Sequence, residues 1–207
     1  MKLMPFDCET GGTDPKKSDL LTAYFCITDE NLNIIDELDL KLKPDSGDVR
    51  ADAEALKVNG IVLEDHLADP ETLTYSEGSK KLKDFLKKHS PKKRGIRPAG
   101  HNIAFDIGFV TEHLISKEEW DNFCHYRVLD TTPICTFLQD VAVWPSRVGS
   151  LTSIVEYLGL PMLKAHTAKD DVLMWVSAYK KIKEQFISIV KGGGSVDTLD
   201  EIALLEL

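Results

Sequence analysis

Phe6-Asp7-Cys8-Glu9-Thr10-Gly11-Gly12 is the stretch on which the reading of this chain turns. A short apolar run (Leu3, Met4, Phe6) leads into it and a glycine pair ends it. In a strand over residues 2–9, alternate side chains share a face, so Asp7 and Glu9 point the same way. Two neighbouring carboxylates with no basic residue between them repel unless a cation compensates. Hard divalent cations such as magnesium prefer carboxylate oxygen. Taken alone, the pair also fits a solvated strand end running into the turn-forming Gly11–Pro15. Pro5 sits awkwardly in such a strand, because it has no N–H to give to a ladder.

Working outward, Leu20–Thr28 is β-rich and mostly apolar, which suits a buried strand. A turn at Asp29-Glu30-Asn31 separates it from Ile34–Leu42, where Ile34, Leu38, Leu40 and Leu42 alternate with polar residues. The opening is therefore expected to be a three-stranded antiparallel meander. A short helix is expected over Ala51–Val58, stopped by Asn59-Gly60. A second should run from a Ser76 cap to about His89, with Leu82, Phe85 and Leu86 as its apolar stripe. Residues 61–75 read as loop, and Ser90–Pro98 as basic and irregular. Ala99-Gly100-His101-Asn102 precedes a helix carrying Phe105, Ile107, Phe109, Val110 and Leu114. Tyr126–Leu129 reads as a short strand. Thr132-Pro133 opens a helix to about Gln139, with threonine as cap and proline at the first position. Leu151–Leu158 and Ala168–Val190 are the remaining helices. Strands followed by alternating helices and short strands indicate an α/β mixed sheet with helices on its faces.

The 207 residues are 43% hydrophobic and 29% charged, as expected of one globular domain with an appendage. The division expected is a domain over 1–190 and, over 191–207, a glycine linker with a short acidic amphipathic tail. In that tail Thr198-Leu199-Asp200-Glu201 matches a capping box. The tail is expected to fold back on its own domain or to dock on a protein partner. A net charge of −9 disfavours sequence-blind coating of duplex DNA. The four cysteines form no Cys-x-x-Cys pair, so reduced thiols are expected rather than a zinc site or a disulfide scaffold. No apolar run reaches the ~18 residues of a membrane span, and no apolar leader precedes Asp7. The expectation is a cytoplasmic chain without membrane contact. A dense block of Lys80, Lys81, Lys83, Lys87, Lys88, Lys92, Lys93, Arg94 and Arg97 reads either as a phosphate-steering patch or as a solubilising face.

Two further clusters carry chemistry: His101-Asn102-Ile103-Ala104-Phe105-Asp106 and His166-Thr167-Ala168-Lys169-Asp170-Asp171. Each acid falls in the first turn of an expected helix, where the dipole favours an anion. Asp7-x-Glu9, His101-Asn102-x-x-Phe105-Asp106 and His166-x-Ala168-x-x-Asp171 occur in that order. Together they resemble the three exonuclease motifs of the DEDD superfamily in its histidine subtype. That group contains proofreading exonuclease subunits, RNase T and oligoribonuclease. Thr167 stands where the tyrosine subtype carries its tyrosine. Ala55–Ile61, Leu129-Asp130-Thr131 and Leu151–Leu160 resemble further family segments, so the resemblance covers about residues 1–185. Lys169 and Val172 depart from it without removing an acid.

The resemblance implies a ribonuclease-H-like fold, here a mixed five-stranded sheet with helices on both faces. It implies a metal-dependent 3′–5′ exonuclease releasing nucleoside 5′-monophosphates from DNA or RNA. Asp7, Glu9, Asp106 and Asp171 would hold two Mg2+ (or Mn2+) ions, and His166 would be the general base. Thr10, Gly11, Gly12, Asn59, His101 and Asn102 would meet the substrate, a single-stranded 3′ end. A homodimer is a further implication. Phe105 is expected in the core, Asp130 as a structural acid near a helix start, and Asp170 as a solvated neighbour of Asp171. A silent nucleic-acid-end or partner-binding module on the same fold is the competing reading, and DNA and RNA are not distinguished.

Overall fold

In the computed structural model, strand β1 (Lys2–Thr10) lies inside a mixed sheet, next to β2 (Leu20–Thr28), which pairs in turn with β3 (Ile34–Lys43). Both pairings are antiparallel, so the meander is as expected. There follow α1 (Ala53–Asn59), α2 (Leu63–Ala68), β4 (Thr72–Thr74), α3 (Tyr75–His89), β5 (Ile96–Gly100), α4 (Ile103–His113), α5 (Lys117–Phe123), β6 (Leu129–Asp130), α6 (Thr131–Asp140), α7 (Leu151–Tyr157) and α8 (Ala168–Lys191). The structure describes residues 1–164 and 166–191. The linker and amphipathic tail expected over 191–207 lie outside the described residues beyond Lys191. Among the described residues no helix is long and apolar enough to cross a membrane.

The strand order is β4-β3-β2-β1-β5-β6, with β5 parallel to β1, β6 parallel to β5 and β4 parallel to β3. The sheet thus has six strands among the described residues, one more than the five expected. The addition is β4, in the stretch read as loop, where Thr72–Thr74 pairs with Lys41–Lys43. A three-residue strand is too short to show a period of two.

Alternation along β1 divides the core. Met4, Phe6 and Cys8 face Leu82 and Leu86 of α3, Phe109 and Val110 of α4 and Trp120 of α5. On the other face, Tyr24 and Cys26 of β2 pack with Val172, Trp175 and Val176 of α8. The inner strand β2 is buried along nearly its whole length, as its continuous apolar sequence requires. All four cysteines are buried and free.

Several boundaries differ from expectation for local reasons. The cap of α3 is Thr74, not Ser76. Its Oγ1 accepts from the Glu77 N–H at 3.3 Å while Glu77 Oε2 accepts from the Thr74 N–H at 2.8 Å, a reciprocal capping box. The cap of α6 is Asp130, whose carboxylate accepts the Thr132 N–H at 2.8 Å; Thr132 and Pro133 are already inside the helix. Strand β5 occupies part of the stretch read as irregular, and of Tyr126–Leu129 only Leu129 is in a strand. Pro98 hid β5, yet it pairs with Met4, next to Pro5 paired with Ala99. On the other side of β1, Leu3 pairs with Thr28 and the next partners are Phe6 and Phe25. The step over Met4-Pro5 matches the donor that Pro5 lacks.

Candidate active site

Asp7 and Glu9 end β1 on the face that α8 covers. Helix α8 starts beside them because Thr167 caps it: its Oγ1 accepts from the Asp170 N–H at 3.3 Å and its carbonyl from the Asp171 N–H at 3.0 Å. One turn farther along, Trp175 is buried against the sheet and fixes the helix in place. The result is that carboxylate oxygens of Asp7, Glu9 and Asp171, all half-buried, lie within 4.8 Å of one another.

Asp106 reaches the same strand from the opposite side. Pairing between β1 and β5 ends at Pro5 and Ala99. Beyond that point the Asp106 carboxylate takes the place of a strand, with Oδ1 accepting the Cys8 N–H at 2.9 Å. Asp106 is buried in the first turn of α4. It stands apart from the three-acid group yet close enough to act on it electrostatically.

The acids hold one another's protons. Burial first, then the charges of Asp106, Glu9 and Asp171, push the Asp7 carboxyl well above the usual carboxylate range. Burial, then Asp171 and Asp106, push Glu9 up to about 8. Burial raises Asp106 against hydrogen bonds from Cys8, and raises Asp171 against the charge and backbone N–H of His166. Among the described residues no lysine or arginine offsets these shifts. Four carboxylates with no lysine or arginine among the described residues to neutralise them form an all-oxygen donor set suited to a hard divalent cation. The residues present therefore fit a metal.

The other expected site residues fall into two groups. His166 is exposed at the mouth of α8, with φ at +64° and its backbone N–H donating to Asp171. Thr10 and Asn59 meet: Asn59 Nδ2 donates to the Thr10 carbonyl at 3.1 Å, and Thr10 Oγ1 donates to the Gly12 carbonyl at 2.7 Å. Gly11 and Gly12 have a packing reason of their own. A Cβ at Gly11 would lie 2.5 Å from the Arg50 carbonyl oxygen, and one at Gly12 would collide with Ser18 Oγ. These glycines let the 50–52 segment cross the end of β1, where the Asp52 N–H donates to the Gly11 carbonyl at 2.7 Å. His101 is half-buried, with Nδ1 2.9 Å from Thr131 Oγ1 and its ring bonded to the Gly149 carbonyl. Asn102, at φ +60°, starts α4 and is exposed. His101 also lines a small pocket together with Asp7 and Asp171.

Beside Glu9 opens a cleft of about 520 Å³ whose walls include Thr10, Gly12, Asp52, Val58, Asn59 and Phe105. Sequence reading missed two of its features. Phe105 is not wholly core: its ring packs 5.0 Å from that of Phe109 yet also lines the cleft. Val58, 57% exposed on α1, faces the same space, and an apolar residue next to the helix-stopping Asn59-Gly60 was its only signal. Among the described residues, the charged ones of the wall are Glu9, Asp52 and Glu54, all acidic. The basic block sits elsewhere. The Lys2 N–H donates to the Gly95 carbonyl and Lys2 Nζ lies 3.1 Å from His89 Nδ1, so the Lys87–Arg94 part of that block adjoins the start of β1. At ~3.3 Å per strand residue this is roughly 23 Å from Glu9.

Comparison with known proteins places these features in a family. The RNase T profile, described as exonuclease, matches residues 5–179. The oligoribonuclease of Tropheryma whipplei (strain Twist) is 28% identical over 189 residues, covering 88% of this chain and 91% of that protein. The probable oligoribonuclease of Schizosaccharomyces pombe is 28% identical over 140 residues, covering 64% of this chain and 52% of that protein. Among solved structures, the zinc-bound complex of Escherichia coli exonuclease I with single-stranded DNA superposes with a TM-score of 0.73 at 17% identity, over 89% of this chain and 40% of that one. Exonuclease I of Methylocaldum szegediense gives 0.70 at 22% identity, over 88% of this chain and 40% of that one. The chain thus spans about two fifths of those exonuclease I chains, and the likeness to them is one of fold, the ribonuclease-H-like α/β sheet.

Proposed function

The chain belongs to the exonuclease family and is an enzyme of that class, and from this premise we propose that it hydrolyses single-stranded DNA or RNA from the 3′ end. The product is a nucleoside 5′-monophosphate. The observation that carries the reading is the meeting of Asp7, Glu9 and Asp171 at the end of β1, with Asp106 on the strand's other side. Asp7, Glu9, Asp106 and Asp171 would hold two Mg2+ or Mn2+ ions. When bound, such a pair supplies Lewis-acid stabilisation of the attacking and leaving oxygens of an in-line displacement.

The chain's own residues do the rest. The cleft beside Glu9 takes the terminal nucleoside, with Val58 and Phe105 as apolar walls and Thr10, Gly12 and Asn59 as the polar rim at the sugar. His166 accepts a proton from the attacking water on a ring nitrogen, histidine being the side chain that most often serves as a general base. Its exposed position at the mouth of α8 leaves its ring open to a water delivered with substrate. Assignment to the histidine subtype rests on this residue. The names of the bacterial and yeast relatives favour short RNA as substrate, and the DNA complexes of exonuclease I favour a single strand.

The test is a digest of 5′-labelled single-stranded DNA and RNA with Mg2+, Mn2+ or chelator. A metal-dependent ladder shortening from the 3′ end is expected. Uncut substrate in every condition, with binding retained, would sink the proposal. In the same assay His166→Ala is expected to keep metal binding and lose about 10²–10⁴-fold in turnover. Unchanged turnover would remove His166 from the base role.

A further inference from the structure

We infer that Asp130 and Thr131, which touch none of the reacting groups, are positioning residues that set the distance between the acids of the metal site. The inference rests on the metal reading of that site. Asp130 caps two helices with one carboxylate. Besides the Thr132 N–H of its own helix α6, it accepts the Asn102 N–H at 2.9 Å and the Ile103 N–H at 3.2 Å. Those last two donors begin α4, whose own start residue Asn102 offers no side-chain cap. The first turn of α4 carries Asp106, so the capping carboxylate that orients this turn comes from β6 and α6 rather than from the motif itself.

Thr131 extends the same joint to α8. It is buried, and its hydroxyl accepts the Trp175 Nε1–H at 3.2 Å, lies 2.9 Å from His101 Nδ1 and reaches the Gly100 carbonyl at 3.3 Å. Trp175 stands one turn beyond Asp171 on α8. Two consecutive residues therefore tie the end of β5, the start of α4 and the first half of α8 to one point. Asp106 and Asp171 come from different helices, and this joint ties the two together by polar contacts. Side chains that orient metal ligands without touching the metal govern affinity, and their loss typically weakens binding 10–100-fold.

The experiment is calorimetric titration of the full chain with Mn2+, free of substrate, alongside the Mn2+ dependence of turnover. Thr131→Val keeps shape and removes the hydroxyl, and is expected to weaken Mn2+ binding at least 10-fold. At saturating Mn2+ its KM should stay within twofold of the parent, and Thr131→Ser should restore binding. Trp175→Phe, which deletes the indole N–H and keeps most of the ring packing, should shift binding the same way by a smaller factor. A lowered Tm with unchanged Mn2+ affinity in Thr131→Val and Trp175→Phe overturns the positioning role and leaves the metal site standing. A parent chain that takes up no Mn2+ overturns the metal reading and this inference with it.

Discussion

At Glu9 the carboxyl is pushed up to about 8, and Asp7, Asp106 and Asp171 move in the same direction. A raised folded-state pKa means that the native chain holds protons that the unfolded chain has released. The linked stability is complete below the ordinary carboxylate pKa and is lost as pH rises through the folded-state value. Chelated protein is therefore expected to lose thermal stability between about pH 4.5 and 8. Added Mg2+ or Mn2+ replaces the protons and should raise Tm most at the alkaline end of that window. Calorimetric scans at several pH values, with chelator and with metal, check this. A metal-independent Tm across the window would contradict it. Neighbouring residues explain why the acids need so much support. Cys8 lies between Asp7 and Glu9 with its side chain in the core, and its N–H is what holds Asp106.

Among the elements, α3 depends on a cap that lies outside the residue expected from the sequence. Thr74→Ala removes one half of the Thr74–Glu77 box and is expected to lower unfolding stability by about 1 kcal/mol. Turnover per folded molecule should not change, because α3 packs behind β3 and away from the acids. Urea titration with parallel rate measurement tests both halves of that statement. The same region shows what was legible beforehand. The meander, the long α8 and the acid motifs were readable because period-two alternation, an apolar helical stripe and residue spacing are local signals. Helix α2 and strand β4 were not, being six and three residues long. Strand β5 was masked by Pro98 and by the lysines before it. Helix α5 was passed over although Ser116 caps it by accepting the Glu119 N–H at 3.2 Å. The grouping of Asp7, Glu9 and Asp171, with Asp106 on the neighbouring Cys8 N–H, was legible from order and spacing, whereas the place of Phe105 and Val58 in the cleft wall was not. Which side of an aromatic ring faces solvent depends on the neighbouring helix, and no spacing encodes it.

Across the whole molecule, the acids and the Lys87–Arg94 part of the basic block sit at opposite ends of β1, and several lysines of the block are already paired, Lys83 with Glu119 at 2.9 Å and Lys88 with Asp36 at 2.7 Å. A substrate in the acidic cleft therefore gains little from displaced counterions. Between about 50 and 200 mM salt, kcat/KM on a short oligonucleotide is expected to fall less than about threefold, where a protein with six to ten phosphate contacts loses about 10³ or more in affinity. The Lys87→Glu, Lys88→Glu double reversal should leave the rate within about twofold at each salt concentration. A steep salt slope that flattens in the reversed variant would instead assign the block a steering role. The chain order that builds the site has one more consequence, and it concerns time. Asp171 is synthesised roughly 160 residues after Glu9, about ten to thirty seconds later at ~5–20 residues per second. Through that interval Asp7 and Glu9, joined partway by Asp106, wait for Asp171, and the three-acid group closes only once the start of α8 is made.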